Sequence, residues 1–191
     1  MSLQPKASLT PEDYLAIERQ AEYKSEYFHG EMFAMAGASE RHVLIVANVV
    51  AELGSWLKGR PEKVYASHLR MLISPTGLYT YPDIVVVCGQ AQFADEQKDT
   101  LLNPTLIVEV LSEATKDYDR GEKFEQYRSL ASFDEYVLIA QDRHHVEHFV
   151  RQSDNRWLLA ETNRREDALQ LSSISCTLAL AEIYDKVEIM P

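Results

Sequence analysis

The chain has 191 residues, 46% of them hydrophobic and 26% charged, with a formal net charge of −11. That length and composition suit one globular domain whose core needs no disulfide or structural metal. The acidity excludes a plain electrostatic nucleic-acid binder, because non-specific affinity comes from Lys and Arg neutralising phosphates, and no stretch reaches the roughly 18 apolar residues of a membrane span.

The opening residues, MSLQPKASLTPEDY, have neither the basic start nor the apolar run of a secretory signal, which predicts a cytoplasmic protein. Thr10-Pro11-Glu12-Asp13 is a helix start, with Thr10 as cap and Pro11 at the first helical position, and predicts a helix to about Lys24. Glu26 to Met35 reads as a strand or hairpin arm around Gly30. Ser39 to Leu57 is the strongest helix: Val43, Val46, Ala47, Val50, Leu53 and Leu57 fall at helical spacing behind a Ser39 cap. Val64 to Ser74 and Leu78 to Val87 read as two strands separated by a Pro75-Thr76-Gly77 turn, and the polar stretch from Ala91 to Asn103 reads as a loop. Thr105 to Leu111 (TLIVEVL) is almost wholly apolar, as expected of a strand covered on both faces. Asp117 to Leu130 predicts an amphipathic helix with Phe124, Tyr127 and Leu130 on one side. Glu135 to Ala140 is another central strand, His145 to Arg151 and Trp157 to Glu161 form an outer antiparallel pair, and Leu178 to Tyr184 closes as a short helix.

No repeat, low-complexity block or linker interrupts this order, so the reading is one domain over residues 1–191, mixed α/β around a central mixed sheet flanked by helices, with an antiparallel C-terminal extension. Cys88 and Cys176 share no short spacing and fit buried free thiols. There is no phosphate-cradling G-x-x-x-x-G-K-[ST], no G-x-G-x-x-G after a strand and no G-x-S-x-G elbow, which argues against nucleotide-driven, dinucleotide and serine-hydrolase chemistry.

Two acids sit where acids should not be. Glu109 lies between Val108 and Val110 inside a buried strand, where an ionised carboxylate is costly unless a cation or several donors satisfy it. Asp83 follows Pro82 at the entrance of another apolar run, IVVVC. If the two strands are neighbours, both carboxylates converge on one sheet edge and suit Mg²⁺, which takes one or two carboxylates and keeps several waters. The alternative is a pair of buried acids bonded to Arg, Lys or Tyr for structural reasons. Lys123, on the helix after the Glu109 strand, could reach back over the sheet edge to a phosphate; alternatively Asp119 and Lys123 form an ordinary surface pair four residues apart. Glu31 is a further candidate carboxylate or an exposed strand acid, and His42 a site or helix-end histidine. His144, His145 and His148 lie on an outer strand that turns the last two to opposite faces, and receive no function.

The segments YFHGEMFAMAGASERH (27–42), YPDIVVVCG (81–89), NPTLIVEVLSEATKDYDRGEKFEQYRSL (103–130) and FDEYVLIAQD (133–142) together resemble the Uma-two family of bacterial restriction endonucleases, assigned to the PD-(D/E)xK nuclease superfamily. The resemblance runs from about Thr10 to Tyr184. It implies a restriction-endonuclease-like fold with the active site at a sheet edge, Pro82-Asp83 as the PD element and Glu109 as the following acid. The pattern expects lysine two residues after that acid, where this chain has Leu111. In related nucleases the lysine has moved to the following helix, and Lys123 fits that role. Glu31 resembles the extra acid that many members place ahead of the PD element.

The resulting expectation is a Mg²⁺- or Mn²⁺-dependent endonuclease acting on DNA, with Asp83 and Glu109 holding the metal, Glu31 assisting, and Lys123 positioning water or stabilising the phosphate. A homodimer is also expected, since restriction-type nucleases often pair to cut two strands. The rival expectation is a nuclease-fold protein that no longer cuts and acts as an interaction module, which Leu111 and the negative charge favour.

Overall fold

The computed structural model describes residues 8–189. The opening stretch that argued against a signal segment therefore lies largely outside the described residues, as do the last two positions of the expected 1–191 domain. In chain order the elements are α1 (Pro11–Glu18), β1 (Ser25–Phe28), β2 (Glu31–Ala34), α2 (Glu40–Trp56), β3 (Lys63–Ala66), β4 (Arg70–Ile73), β5 (Leu78–Thr80), β6 (Ile84–Val87), β7 (Thr100–Leu101) and β8 (Leu106–Leu111). There follow α3 over 116–127, β9 (Glu135–Ala140), β10 (Val146–Arg151), β11 (Trp157–Thr162), β12 (Ala168–Leu171), β13 (Cys176–Ala179) and α4 (Leu180–Ile183).

A six-stranded mixed sheet in the order β11-β10-β9-β8-β6-β3 forms the centre. Its middle strands, β8 and β9, are parallel and every residue in them is buried, which is why both read as continuous apolar runs. Alternation along β8 sends Leu106, Val108 and Val110 to one face and Ile107 and Leu111 to the other. The first face packs against Ile45, Val49 and Leu53 of α2, the β12-β13 hairpin and Leu180 and Ile183 of α4. Ser39 caps α2, accepting the His42 N–H, so the helix starts where the sequence places it. Truncating the fully buried Leu53 to alanine would cost about 2–5 kcal/mol.

The second face is covered differently from expectation. A five-stranded sheet, β2-β1-β5-β4-β7, packs there through Met71, Ile73, Leu78 and Leu101, together with Phe124 and Tyr127 of α3. The two strands predicted over 64–74 and 78–87 are in fact four, shared between the sheets. The chain leaves the central sheet after Ala66, where Ser67 N–H donates to the Asp83 carbonyl, and returns to it at Ile84. Residues 91–103 are not all loop, since β7 pairs with β4. The predicted closing helix over 178–184 begins as the end of β13 and turns helical only at Leu180.

The first helix also stops short of Lys24. Glu18 is buried and turned to accept the Ser25 N–H and the Tyr81 hydroxyl, both at 2.9 Å, so the chain reverses there into β1. Stacking of Tyr14 on Tyr27, with Tyr79 edge-on, ties α1 to the second sheet. Among the described residues, no helix is long and apolar enough to cross a membrane.

Candidate active site

The site arises where β6 meets β8. The antiparallel ladder pairs Ile84 with Val108, and one position further the side chains take over from the backbone. Pro82 has no N–H to offer a ladder. Asp83 N–H donates to Glu109 Oε2 at 3.1 Å, and Val110 N–H donates to Asp83 Oδ2 at 2.8 Å. The two carboxylates are thus brought together by backbone donors at the sheet edge, as the sequence predicts for Asp83 and Glu109.

Glu109 is 4% exposed on the face of β8 that looks toward the second sheet. Its Oε1 accepts the Tyr127 hydroxyl at 2.8 Å and lies 2.9 Å from Lys123 Nζ. Both partners come from α3, whose middle segment, Asp119–Lys123, is a π turn. Such single wide turns are frequent at functional sites. Lys123 is held further by Asp119 Oδ1 at 3.4 Å and Glu26 Oε1 at 3.5 Å. Glu26 in turn accepts the Thr80 hydroxyl and, at 3.4 Å, the Tyr118 hydroxyl. On the outer side, His42 Nε2 from the first turn of α2 stands 3.1 Å from Asp83 Oδ2.

Three carboxylates therefore surround one ammonium, with Asp83 a neighbour of Glu109. Burial, with the charges of Asp83 and Asp119, pushes the Glu109 carboxyl up to about 8 against the opposing pull of Lys123. Asp119 is raised by its burial too. Burial alone would lower Lys123, but Glu109, Glu26 and Asp119 hold it well above the usual lysine range, so it stays protonated. Burial likewise works against a charged His42, and the Asp83 carboxylate overrides it and raises the imidazole. Lys24, whose Nζ donates to the Ser67 carbonyl at 2.7 Å, is lowered by burial despite the nearby Asp83.

Of the residues singled out in the sequence, Asp83, Glu109, Lys123 and His42 come together. Glu31 is exposed in β2 opposite Phe28, and Glu26 is the acid of that hairpin that reaches Lys123. The surface-pair reading of Asp119 and Lys123 is overturned: they are 4% and 5% exposed. Glu26 carried no sequence signal, because its partners are 54 and 97 residues away. Asp119 and Tyr127 carried one, since 119, 123 and 127 succeed one another at four-residue spacing on one helix face. His148 is buried at 3.0 Å from Glu135, and His145 lies near Glu147 and Glu161, so the histidine cluster stays apart from this site.

No three His, Cys, Asp or Glu side chains among the described residues form a ready metal cage. The donor set nevertheless fits a hard divalent cation. It consists of carboxylate oxygens with an excess of negative charge, and Asp83, 16% exposed, uses Oδ2 for both its bonds to His42 and Val110. Two carboxylates and water are what Mg²⁺ ordinarily takes.

A PD element and a buried glutamate on adjacent strands of a mixed sheet define the restriction-endonuclease-like fold. The chain belongs to the Uma2 family, described as "Putative restriction endonuclease", whose model matches residues 11–181. Two Synechocystis sp. proteins, "Uncharacterized protein sll1609" and "Uncharacterized protein slr1290", are similar. The first is 37% identical over 153 residues, covering 80% of this chain and 86% of the relative. The second is 33% identical over 180 residues, covering 94% and 93%. The crystal structure of a putative nuclease belonging to DUF820 from Anabaena variabilis matches in fold with a TM-score of 0.73 at 16% identity, covering 93% of this chain and 98% of that one.

Proposed function

We propose that this protein is a metal-dependent endonuclease that hydrolyses phosphodiester bonds in DNA. The observation that carries the reading is the buried Lys123 ammonium 2.9 Å from Glu109, on a carboxylate that shares backbone bonds with Asp83. Membership of a family described as restriction endonucleases supports the substrate class.

Asp83 and Glu109 would hold Mg²⁺ or Mn²⁺, which when bound supplies Lewis acidity at the phosphoryl group and a more acidic water. In the hydrolysis, a water gives up one proton to solvent and its oxygen bonds to phosphorus, while the ester P–O bond breaks and the leaving oxygen takes a proton from solvent. Lys123, kept cationic by its three carboxylates, presents fixed positive charge to the phosphoryl oxygens as their negative charge grows, at no cost of reorganisation. Tyr127 and the Asp83 N–H fix both oxygens of Glu109. His42 and the Val110 N–H fix Asp83. Glu26 restrains Lys123.

The test is cleavage of plasmid and single-stranded DNA with Mg²⁺ or Mn²⁺ by the wild type, Asp83→Ala and Lys123→Ala, each with a circular dichroism check of folding. Cleavage lost in both folded variants is expected; cutting retained by Asp83→Ala defeats the assignment. The rival, a non-cutting interaction module, draws on the −11 charge. Calorimetric titration of Mn²⁺ separates the two, since the nuclease reading requires binding that Asp83→Ala removes.

A further inference from the structure

A cleft of about 570 Å³ opens beside the acidic site, where β8 and β9 end at Leu111 and Ala140. The first turn of α2 forms one wall and the start of α3 another. Leu111 is two residues beyond Glu109, roughly 7 Å along the strand at the usual rise. The walls are fixed: the Ser39 hydroxyl bonds Gln141 Oε1, and Gln141 Nε2 donates to the Leu111 carbonyl at 2.9 Å.

On a chain of net charge −11 the lining is net positive by one charge, with Glu40, Glu113 and Asp142 set against four cations. Arg41, Lys116, Arg120 and Arg143 are four of its twelve residues, against 19 Lys and Arg in all 191. Three of them are matched by acids: Lys116 by Glu113 at 2.7 Å, Arg120 by Glu147 at 2.7 Å, and Arg143 by Asp142 at 3.5 Å. Arg41 is different. It is half-buried, its neighbour Glu40 is exposed, and among the described residues it has no hydrogen-bond or ion-pair partner. It also sits in the first turn of a 17-residue helix, where the aligned peptide dipoles favour an anion.

We infer that this cleft seats the DNA phosphate adjacent to the one cleaved, with the Arg41 guanidinium as its principal contact. This rests on the nuclease reading for the position of the cleaved phosphate, but phosphate capture by Arg41 needs no chemistry to occur. It also explains how an acidic protein holds an anionic strand. The repulsive surface is interrupted at the site by a pre-formed cleft of slight positive charge, in which one guanidinium is left free to pair.

The experiment is fluorescence anisotropy of a short labelled DNA duplex with the full chain in Ca²⁺, over a range of salt concentrations. The proteins compared are wild type, Arg41→Ala and Arg164→Ala. Arg164 carries the same charge outside the cleft, in the loop before β12. Losing one phosphate contact should lower the slope of log affinity against log salt by about 0.9. That drop is expected for Arg41→Ala alone. An equal drop in both variants, or none in Arg41→Ala, overturns the inference, as does a wild type that fails to bind DNA. A wild type that binds with the Arg41-dependent slope yet never cuts with Mg²⁺ or Mn²⁺ leaves the cleft standing and removes the nuclease reading instead.

Discussion

Replacing Tyr127 by phenylalanine removes one hydroxyl from the centre of the site and almost nothing else. The ring is fully buried, edge-on to Phe133 and Tyr136, so the isosteric change opens no cavity of consequence. What is lost is the 2.8 Å bond to Glu109 Oε1. Above pH 8, where Glu109 is ionised, a hydrogen bond to this charged group contributes about 1.5–3 kcal/mol. At roughly 2–4 °C per kcal/mol for a domain of this size, Tyr127→Phe should melt about 3–12 °C lower. The same bond favours the ionised carboxylate, so its loss pushes Glu109 further up, by about 1–2 units at 1.36 kcal/mol each. On the proposed function, metal capture and cleavage need the ionised form. Both should therefore rise with pH around the wild-type value of about 8, and later in the variant. Thermal melts, and Mn²⁺ affinity measured from pH 6 to 10, test the two parts separately. A melting temperature within 1 °C of wild type, with an unmoved pH midpoint, would refute the argument that Tyr127 holds Glu109 in its charged state.

Other expectations follow from the same geometry. A divalent ion that binds only the folded chain should raise its stability by about 2.7 kcal/mol at a hundredfold excess over Kd, and Asp83→Asn should abolish that rise in Mg²⁺ melts. Glu135 is fully buried and accepts Ser172 and Ser173 N–H at 2.8 and 3.0 Å besides His148. Burial alone would raise its carboxyl, but the bonds from His148 and Ser173 leave it depressed. Its contribution is thus complete above the unfolded carboxylate value, near pH 4.5, and lost as pH falls through the folded one; Glu135→Gln should flatten that acid limb of the melting curve. Gly30 adopts φ +85°, and a Cβ there would fall 1.7 Å from Ser8 Oγ, so Gly30→Ala should destabilise by more than 1 kcal/mol in denaturant titration.

The sequence is most legible where local pattern and tertiary demand coincide. The all-apolar runs around Glu109 and in 135–140 could only be covered strands, and Ser39 with its helical stripe could only begin a long helix. Legibility fails where partners are remote. An alternating run such as 64–74 reports strand but not which sheet, and here the choice is made by Ser67 bonding across to Asp83, sixteen residues on. Lys24 was assigned to α1 because nothing local marks the end; the terminator is Glu18 capturing the Ser25 N–H and Tyr81. Asp119 and Lys123 present the spacing of a solvated pair, and only the second sheet, laid over α3 and β8, makes them interior.

That second layer also bears on the proposal that Lys123 takes the place of a lysine at position 111. Alternation puts position 111 on the same face as Glu109, which is where a lysine two residues on would point. Here Leu111 fills that space, 5% exposed and packed with the apolar residues between the layers. The ammonium enters instead from the opposite wall, on the π turn of α3. From that direction it meets Asp119 of its own helix and Glu26 of the second sheet as well as Glu109. Burial works against the charged form there, and Glu109, Glu26 and Asp119 together override it. On the proposed reading, a lysine carried by α3 thus gains Asp119 and Glu26 as charge partners along with Glu109.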